Sequence, residues 1–266
     1  MKYAGIDIGE AYLMAVFVDD ESTRSLLVDG KPFKDYNKMV NKVIEQLKEI
    51  KSKEVLEWGI SKVGRKYPVK YTEKVREIDK LILFLNLERN RFFTDQFHKM
   101  AKYVIKYLHF YGVTNLCISE RLANHKFIKI KFEKLLEQIR HEAHEHGISV
   151  EHVDESFTSR VSCISGNIKS VQKNHNLTDE DCKGKLNHNR RLFIDDVINK
   201  KFNADLNAAV NHIKVETGKS FEWLKDKLFK LQDPIKIKSD QEFEKLLRNL
   251  KKSNTSKPVS ISTKNT

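Results

Sequence analysis

An acidic residue lies inside an apolar strand near the start of the chain, and this limits the folds that the chain can adopt. Residues 3–8 and 11–18 are dense in Ala, Ile, Val, Leu and Phe, which predicts two buried or half-buried β-strands separated by Gly9 and Glu10. Asp7 interrupts the first of them. A charged carboxylate in such a strand is costly unless a cation compensates it, so we expect Asp7 to have a cationic partner.

Two further acids stand where predicted elements end or begin. Glu120 closes the short apolar strand that starts at residue 115, and Asp205 lies at a predicted helix start. Taken singly, such acids are common as solvated strand ends or helix caps. Magnesium and manganese prefer carboxylate oxygens, however, and two-metal phosphodiester cleavage needs several carboxylates around ions about 4 Å apart. The combination of Asp7, Glu120 and Asp205 predicts such a centre if the fold brings the three together.

The order of the predicted elements indicates an α/β fold. After the first two strands, the patterns predict a strand near 24–29, helices at 35–57 and 69–111, a strand at 115–120, a helix at 127–146 and a strand at 148–153. Three strands, long helices and then strand–helix–strand predict a mixed β-sheet flanked by helices, with a long helical insertion.

These patterns divide the chain into three parts. Residues 1–216 are predicted to form one domain, with a helical insertion at about 35–111 and a polar loop insertion at about 163–200. A helical extension is predicted over 217–250. The last segment, 251–266, has no apolar period and is predicted to be a disordered tail.

Composition bears on partners and compartment rather than on fold. The 266 residues include 49 Lys plus Arg against 37 Asp plus Glu, a formal net charge of +12 that favours a nucleic-acid partner. Lysine-rich usage in an AT-rich genome is the alternative explanation of this charge. Three scattered cysteines make no disulfide framework, and no run of about 18 apolar residues exists. We therefore expect a soluble, cytoplasmic protein with no membrane partner.

Three stretches resemble, in order and spacing, the RuvC motifs of the TnpB/OrfB family. They are Ala-Gly-Ile-Asp-Ile-Gly at 4–9, Ile-Ser-Glu-Arg-Leu at 118–122 and Asn-Ala-Asp-Leu-Asn-Ala-Ala-Val-Asn at 203–211. Members of this family are RNA-guided nucleases of bacterial insertion sequences and are related to type V CRISPR effectors. The resemblance covers roughly residues 3–215. It implies an RNase H-like (RuvC-type) sheet and a DNA endonuclease that hydrolyses phosphodiester bonds with two metal ions.

Carried over to this chain, the resemblance assigns Asp7, Glu120 and Asp205 as catalytic residues and as ligands of Mg²⁺ or Mn²⁺. Glu155 is the alternative to Glu120, because some relatives take their glutamate from the next strand and neighbouring strands lie about 4.8 Å apart. His212, beside the third motif, is expected to pack rather than to react. The residues expected to contact nucleic acid are Thr158, Ser159, Arg160, Lys185, Arg190 and Arg191.

Departures from the family pattern bear on cofactors and partners. The chain begins at the first RuvC strand, so we expect a second protein to supply the domains that hold guide RNA. The two Cys-x-x-Cys pairs of a zinc ribbon are missing from the sequence. Zinc is therefore not expected, because Cys163, His175, Cys182 and His188 fit no zinc module well.

Two other functions compete with cleavage by this chain. A non-catalytic nucleic-acid-binding protein, or a decayed transposase remnant, would also lack the missing domains and the zinc ribbon. A sugar-kinase or actin-like ATPase also opens with Asp-x-Gly, but it needs a second phosphate-binding Asp-Gly hairpin midway along the chain, which we do not find.

Overall fold

The computed structural model describes residues 1–9, 11–119, 132–175 and 177–255. It contains two compact units. Unit 1 is formed by Met1–Gly30 and by the described residues from His98 onward, and unit 2 is formed by Lys31–Phe97.

The described elements alternate between strands and helices along most of the chain. In chain order they are β1 (Tyr3–Asp7), β2 (Tyr12–Val18), β3 (Leu26–Asp29), α1 (Lys31–Lys53), β4 (Val55–Ile60), β5 (Lys66–Tyr71), α2 (Lys74–Phe110), β6 (Asn115–Ser119), α3 (Phe132–Glu145), β7 (Ser149–Val153), α4 (Ile168–Asn174), α5 (Asp179–Cys182), β8 (Gly184–Leu186), β9 (Leu192–Asp195), β10 (Lys200–Asn203), α6 (Ala204–Thr217), a 3-10 helix (Glu222–Lys225), α7 (Phe229–Gln232), β11 (Ile235–Ile237) and α8 (Asp240–Thr255).

Unit 1 is built on a six-stranded mixed sheet with the strand order β11-β3-β2-β1-β6-β7. β2 pairs antiparallel with both β1 and β3. β6 is parallel to β1, and β7 is parallel to β6. The apolar residues of β1 and β2 that suggested buried strands lie in the core. The predicted α/β fold, a mixed β-sheet with helices, is therefore confirmed.

Helix α6 packs directly on β1 at Gly5. A Cβ atom at Gly5 would lie 1.9 Å from the main-chain oxygen of Ala209, so only glycine permits this approach. Small residues on the helix side, Ala208 and Ala209, are buried as well. The close contact fixes the start of α6 relative to the end of β1, because both elements are rigid.

The segment predicted as a polar loop at 163–200 contains structure of its own. It includes α4 and α5, and β9 pairs with both β8 and β10 in a small antiparallel sheet. Phe193 and Phe202 stack at its centre with ring centroids 5.6 Å apart. Ser162 Oγ donates to the buried Asp195 carboxylate at 2.5 Å. Strands of three or four residues with few apolar side chains carry almost no periodic signal, which is why the sequence pattern indicated a loop.

Unit 2 differs from the predicted helical insertion by a β-hairpin. α1 and α2 pack through aromatic rings, including Phe33 against Phe97 with centroids 5.7 Å apart. Between these helices, β4 and β5 form a two-stranded antiparallel sheet, and α2 begins at Lys74 rather than near residue 69. Gly64 adopts a positive φ of 74° in the turn and Pro68 lies in β5, and neither residue suits a helix interior.

The C-terminal part is not only helical. β11 joins the main sheet parallel to β3, although the pattern at 217–250 predicted helices. α8 continues through 251–255, where the predicted tail begins, and residues 256–266 lie outside the described residues. No helix in the described ranges is both long and apolar enough to cross a membrane. The three cysteines are buried free thiols.

Candidate functional site

Asp7 is the last residue of β1, at the edge of the sheet where the parallel strands β6 and β7 also end. Its side chain is half-buried, and burial raises the pKa of this carboxyl well above the ordinary value. The charges of Asp205 and Glu155 raise it further. The charged groups that act most strongly on Asp7 in the described part of the chain are therefore carboxylates, and the expected cationic partner is not found among them.

Asp205 lies in the first turn of α6, but it does not cap the helix. The cap is Asn203, whose side chain accepts a hydrogen bond from the main-chain N–H of Leu206 at 2.9 Å. Burial raises the pKa of Asp205 to about 6, and the nearby Arg191 guanidinium opposes this rise. The capping explanation of Asp205 is therefore wrong, and its carboxylate faces the charge of Asp7 instead.

Glu155 follows β7 by two residues and is tied to the end of β6. The hydroxyl of Ser119, the last residue of β6, donates to Glu155 Oε2 at 2.6 Å. Glu120, the first choice from the sequence, lies outside the described residues. Of the described acids, Asp205 and Glu155 thus lie close enough to Asp7 for their charges to raise its pKa.

Two buried asparagines on α6 hold the segment that follows β7. Asn207 Nδ2 donates to the main-chain oxygens of Val161 at 2.8 Å and Thr158 at 3.3 Å. Asn211 Nδ2 donates to the same two oxygens at 2.8 and 2.7 Å. Asn207 Oδ1 also accepts from the main-chain N–H of Cys163 at 2.8 Å. The motif around Asp205 therefore positions the segment that carries the glutamate as well as supplying an acid.

Sequence reasoning missed these asparagines, although a signal was present. Asn207 and Asn211 are spaced by four residues on a helix whose neighbouring positions are Ala and Val. Two amides on one apolar helix face need buried hydrogen-bond partners, because an unsatisfied amide in the core is costly.

Of the six residues predicted to contact nucleic acid, one is buried and five are exposed. Thr158 is buried and its hydroxyl donates to the main-chain oxygen of Glu155 at 2.9 Å, so it stabilises the turn. Arg191 is exposed and close enough to Asp205 to lower its pKa. The other four are exposed: Ser159, Arg160, Lys185 and Arg190.

A cleft of about 480 Å³ lies beside Asn203, at the start of α6. Its lining includes three cations, Arg191, Lys201 and Lys236, together with Tyr12. Burial and the negative charge of Asp205 both raise the pKa of Tyr12, which places its phenol near the acidic group. The cleft therefore has a positive lining, which suits a phosphate-bearing ligand.

His212 links α6 to β1. It is fully buried, and its Nδ1 lies 3.0 Å from the main-chain oxygen of Ile6, the residue before Asp7. Burial lowers the pKa of His212 to about 4, so the ring is neutral near pH 7 and Nδ1 carries the proton that the carbonyl accepts. This geometry agrees with the expected packing role.

The side chains around Asp7 bear on whether this edge could hold a metal ion. In the described ranges, no three His, Cys, Asp or Glu side chains are grouped closely enough to hold a metal ion. The acidic charge at this edge nevertheless suits a divalent cation, because Asp205 and Glu155 both raise the pKa of Asp7. Cys163 and Cys182 belong to separate hydrophobic clusters.

Part of the chain matches a known protein family. Residues 132–212 match the family model described as Cas12f1-like, TNB domain. The predicted resemblance to relatives of type V CRISPR effectors is confirmed over this stretch. The stretch includes β7 and the start of α6, and therefore Glu155, Arg191 and Asp205. No curated protein matches the chain.

Solved structures of Cas12f proteins share the fold. The cryo-EM structure of a Cas12f1–sgRNA–target DNA complex superposes with a TM-score of 0.53 at 15% identity, over 81% of this chain and 50% of that one. The cryo-EM structure of a CRISPR–Cas12f ternary complex gives a TM-score of 0.50 at 16% identity, over 78% of this chain and 37% of that one. This chain thus spans half or less of the length of the proteins that it resembles.

Proposed function

We propose that the chain is a metal-dependent DNA endonuclease of the TnpB/OrfB RuvC type. The observation that carries this proposal is the acidic charge where β1 and β7 end and α6 begins: Asp205 and Glu155 both raise the pKa of Asp7. Unbalanced carboxylates of this kind suit Mg²⁺ or Mn²⁺. When bound, such ions supply Lewis-acid stabilisation of the negative charge that develops on a phosphodiester during hydrolysis.

Each residue of the group has a proposed role. Asp7 and Asp205 would hold the metal ions, with Glu120 or Glu155 as the third carboxylate. The charge of Glu155 reaches Asp7, and Glu120 lies outside the described residues. Arg191, beside Asp205 and in the positively lined cleft, would orient the phosphate. Asn207 would act indirectly, by holding the segment after β7 in place.

The proposed partners are DNA and guide RNA. The similar Cas12f1 structure is a complex with sgRNA and target DNA, and this chain has a formal net charge of +12. The match covers 50% of that protein's length, and we propose guide RNA as a partner of this chain on the same grounds. The exposed residues Ser159, Arg160, Lys185 and Arg190 are proposed contacts to the sugar-phosphate backbone.

The test is cleavage of labelled single- and double-stranded DNA by the purified chain in Mg²⁺ or Mn²⁺. We expect Asp205→Asn to reduce the cleavage rate by at least about a hundredfold, because the substitution keeps the shape and removes a ligating charge. Asp196→Asn is the matched control, since Asp196 is exposed and lies outside the acidic group. Glu155→Gln and Glu120→Gln, measured in parallel, identify the third carboxylate. Equal rates for Asp205→Asn and the parent chain would exclude the proposed centre.

A second readout does not depend on a guide. Mn²⁺ that binds only the folded chain should raise its melting temperature, and Asp205→Asn should lose that rise while Asp196→Asn keeps it.

A non-catalytic nucleic-acid-binding protein is the second candidate. It is favoured by the finding that the described side chains include no group of three ready to ligate a metal. In that case Mn²⁺ leaves the melting temperature of the parent chain unchanged, and Asp205→Asn binds DNA as the parent chain does without any cleavage by either.

A further inference from the structure

The β4–β5 hairpin of unit 2 exposes large apolar side chains. Trp58 is 52% exposed and Ile60 is 69% exposed on β4, and Val63 in the turn is 77% exposed. On β5, Tyr67 and Val69 are each about half exposed. Monomeric proteins seldom leave such residues clustered on one small element, so a patch of this kind indicates a binding surface.

The pairing of the two hairpin strands fixes the positions of these side chains. Trp58 is paired with Pro68 and Gly59 with Tyr67 across the two strands. A Cβ atom at Gly59 would lie 2.7 Å from the Tyr67 ring, so the ring lies across the glycine. The turn is closed by a hydrogen bond from the Ser61 main-chain N–H to the Arg65 oxygen at 2.9 Å.

The base of the hairpin is attached to the helices of unit 2, whereas its body is not buried. Thr72 donates through its main-chain N–H and its hydroxyl to Glu54, at 3.1 and 2.7 Å. Lys51 lies over the Tyr71 ring at 5.4 Å from the centroid. An isolated two-stranded hairpin is marginally stable in water, so these base contacts are needed to hold it. The exposed rings further out contribute little to folding.

The cations of unit 2 are distributed unevenly between the hairpin and the helices. On the helices, Lys53 pairs with Glu49 at 3.0 Å and Lys80 with Glu77 at 2.9 Å. The hairpin carries four cations and one acid, and within the described ranges none of its cations forms an ion pair; they are Lys62, Arg65, Lys66 and Lys70, against Glu57. Unpaired cations beside exposed rings are complementary to phosphates and bases, whereas a protein-binding patch is usually poor in lysine.

We infer that the β4–β5 hairpin binds single-stranded DNA, with Lys62, Arg65 and Lys66 at phosphates and Trp58 stacked on an unpaired base. The choice of DNA rests on the proposed function, but the binding itself requires no cleavage. Ser61 belongs to the turn, where its Oγ accepts from the Arg65 main-chain N–H at 3.0 Å, and RNA is an outcome of the test.

The experiment is fluorescence anisotropy of a labelled oligothymidylate with the full chain in EDTA, between 50 and 200 mM salt. The hairpin variant is Lys62→Ala/Arg65→Ala/Lys66→Ala, and the matched control, with the same change in charge, is Lys53→Ala/Lys74→Ala/Lys80→Ala. We expect the hairpin variant to bind about ten- to a hundredfold more weakly and its log K against log salt slope to fall by about 2. The control should change affinity by less than about threefold. Trp58→Ala should weaken binding roughly tenfold through lost stacking.

Several outcomes would overturn the inference. Equal losses in the two triple variants would mean that only net charge matters, and an unchanged Trp58→Ala would remove the stacking. Tighter binding of an oligouridylate of equal length would assign the surface to RNA. A dimer in sedimentation that dissociates on Trp58→Ala, with DNA binding retained, would make the hairpin an interface between two copies. Because EDTA prevents cleavage, the measured affinities for the oligonucleotide do not depend on whether the chain is a nuclease.

Discussion

Around the start of α6 polar side chains are buried, whereas on the β4–β5 hairpin apolar side chains are exposed. Asn207 and Asn211 are 0% exposed and bonded to main-chain groups, while Trp58 and Ile60 stand more than half exposed. Buried amides cost free energy unless every bond is made, so they fix one local geometry. Exposed apolar groups cost solubility and contribute little to folding.

This difference indicates that the region around α6 stabilises the fold and that the hairpin is a binding surface. Substitutions near α6 should change the free energy of unfolding, because each removes a bond or a close contact in the core. Substitutions on the hairpin should leave that free energy nearly unchanged and alter binding instead.

The largest effect is expected for Gly5→Ala. The new Cβ atom would meet the main-chain oxygen of Ala209 at 1.9 Å, and a backbone carbonyl cannot rotate aside as a side chain can. We expect the free energy of unfolding to fall by about 3 kcal/mol or more, measured by denaturant titration. Gly9→Ala is the control, because its nearest atom would be the Tyr12 main-chain oxygen at 3.4 Å, and it should cost less than about 1 kcal/mol. Similar losses in both variants would mean that α6 does not approach β1 so closely.

The second effect is a ranked pair of substitutions on α6. Asn207→Ala loses two donated bonds and one accepted bond, whereas Asn211→Ala loses two donated bonds from an amide whose Oδ1 has no partner in the described part of the chain. We expect costs of about 3 and about 2 kcal/mol, in that order. Circular dichroism during urea unfolding provides the comparison. The reverse order would show that Cys163 is not held by Asn207.

The third effect concerns Lys230, which is fully buried in unit 1. Its Nζ donates to the main-chain oxygens of Val18 and Asp20 and lies 4.8 Å from the centroid of the Phe17 ring. Burial lowers its pKa from the ordinary 10.5 to about 8, despite the nearby acidic charge of Asp20.

Between pH 8 and 10.5 the unfolded chain therefore binds more protons at Lys230 than the folded chain does. The free energy of unfolding should rise with pH across this window, by roughly 2 kcal/mol. Lys230→Met should lack that rise, so the quantity to measure is the difference between the two proteins at pH 8 and at pH 10. The free energy of unfolding of the parent chain minus that of Lys230→Met should be larger at pH 10 than at pH 8. An equal or smaller value at pH 10 would contradict the assigned burial.

The smallest effect is expected on the hairpin. Ile60→Ser replaces a 69% exposed side chain, so the free energy of unfolding should change by less than about 0.5 kcal/mol. Thermal and urea unfolding measured beside Gly5→Ala provide the scale. A loss above about 1 kcal/mol would mean that the hairpin surface is covered in the folded protein, and the contrast between the two regions would not hold.

The acidic site was only partly predictable from the sequence. Asp7 in an apolar strand and Asp205 near a helix start were visible as patterns of a few residues. The third acid was not settled, because the sequence ranked Glu120 first and the charge that reaches Asp7 in the described structure belongs to Glu155. Their roles as metal ligands stay predictions.

By itself the sequence determined the order of the main strands, the apolar helix faces and the three motifs, because these depend on side chains a few residues apart. Tertiary structure decided what those motifs do. Strand order puts the ends of β1, β6 and β7 at one edge, and the close approach at Gly5 brings α6 beside them. The hairpin also needed the fold to be recognised, since β-pairing depends on a partner strand while helical periodicity can be read from one segment alone.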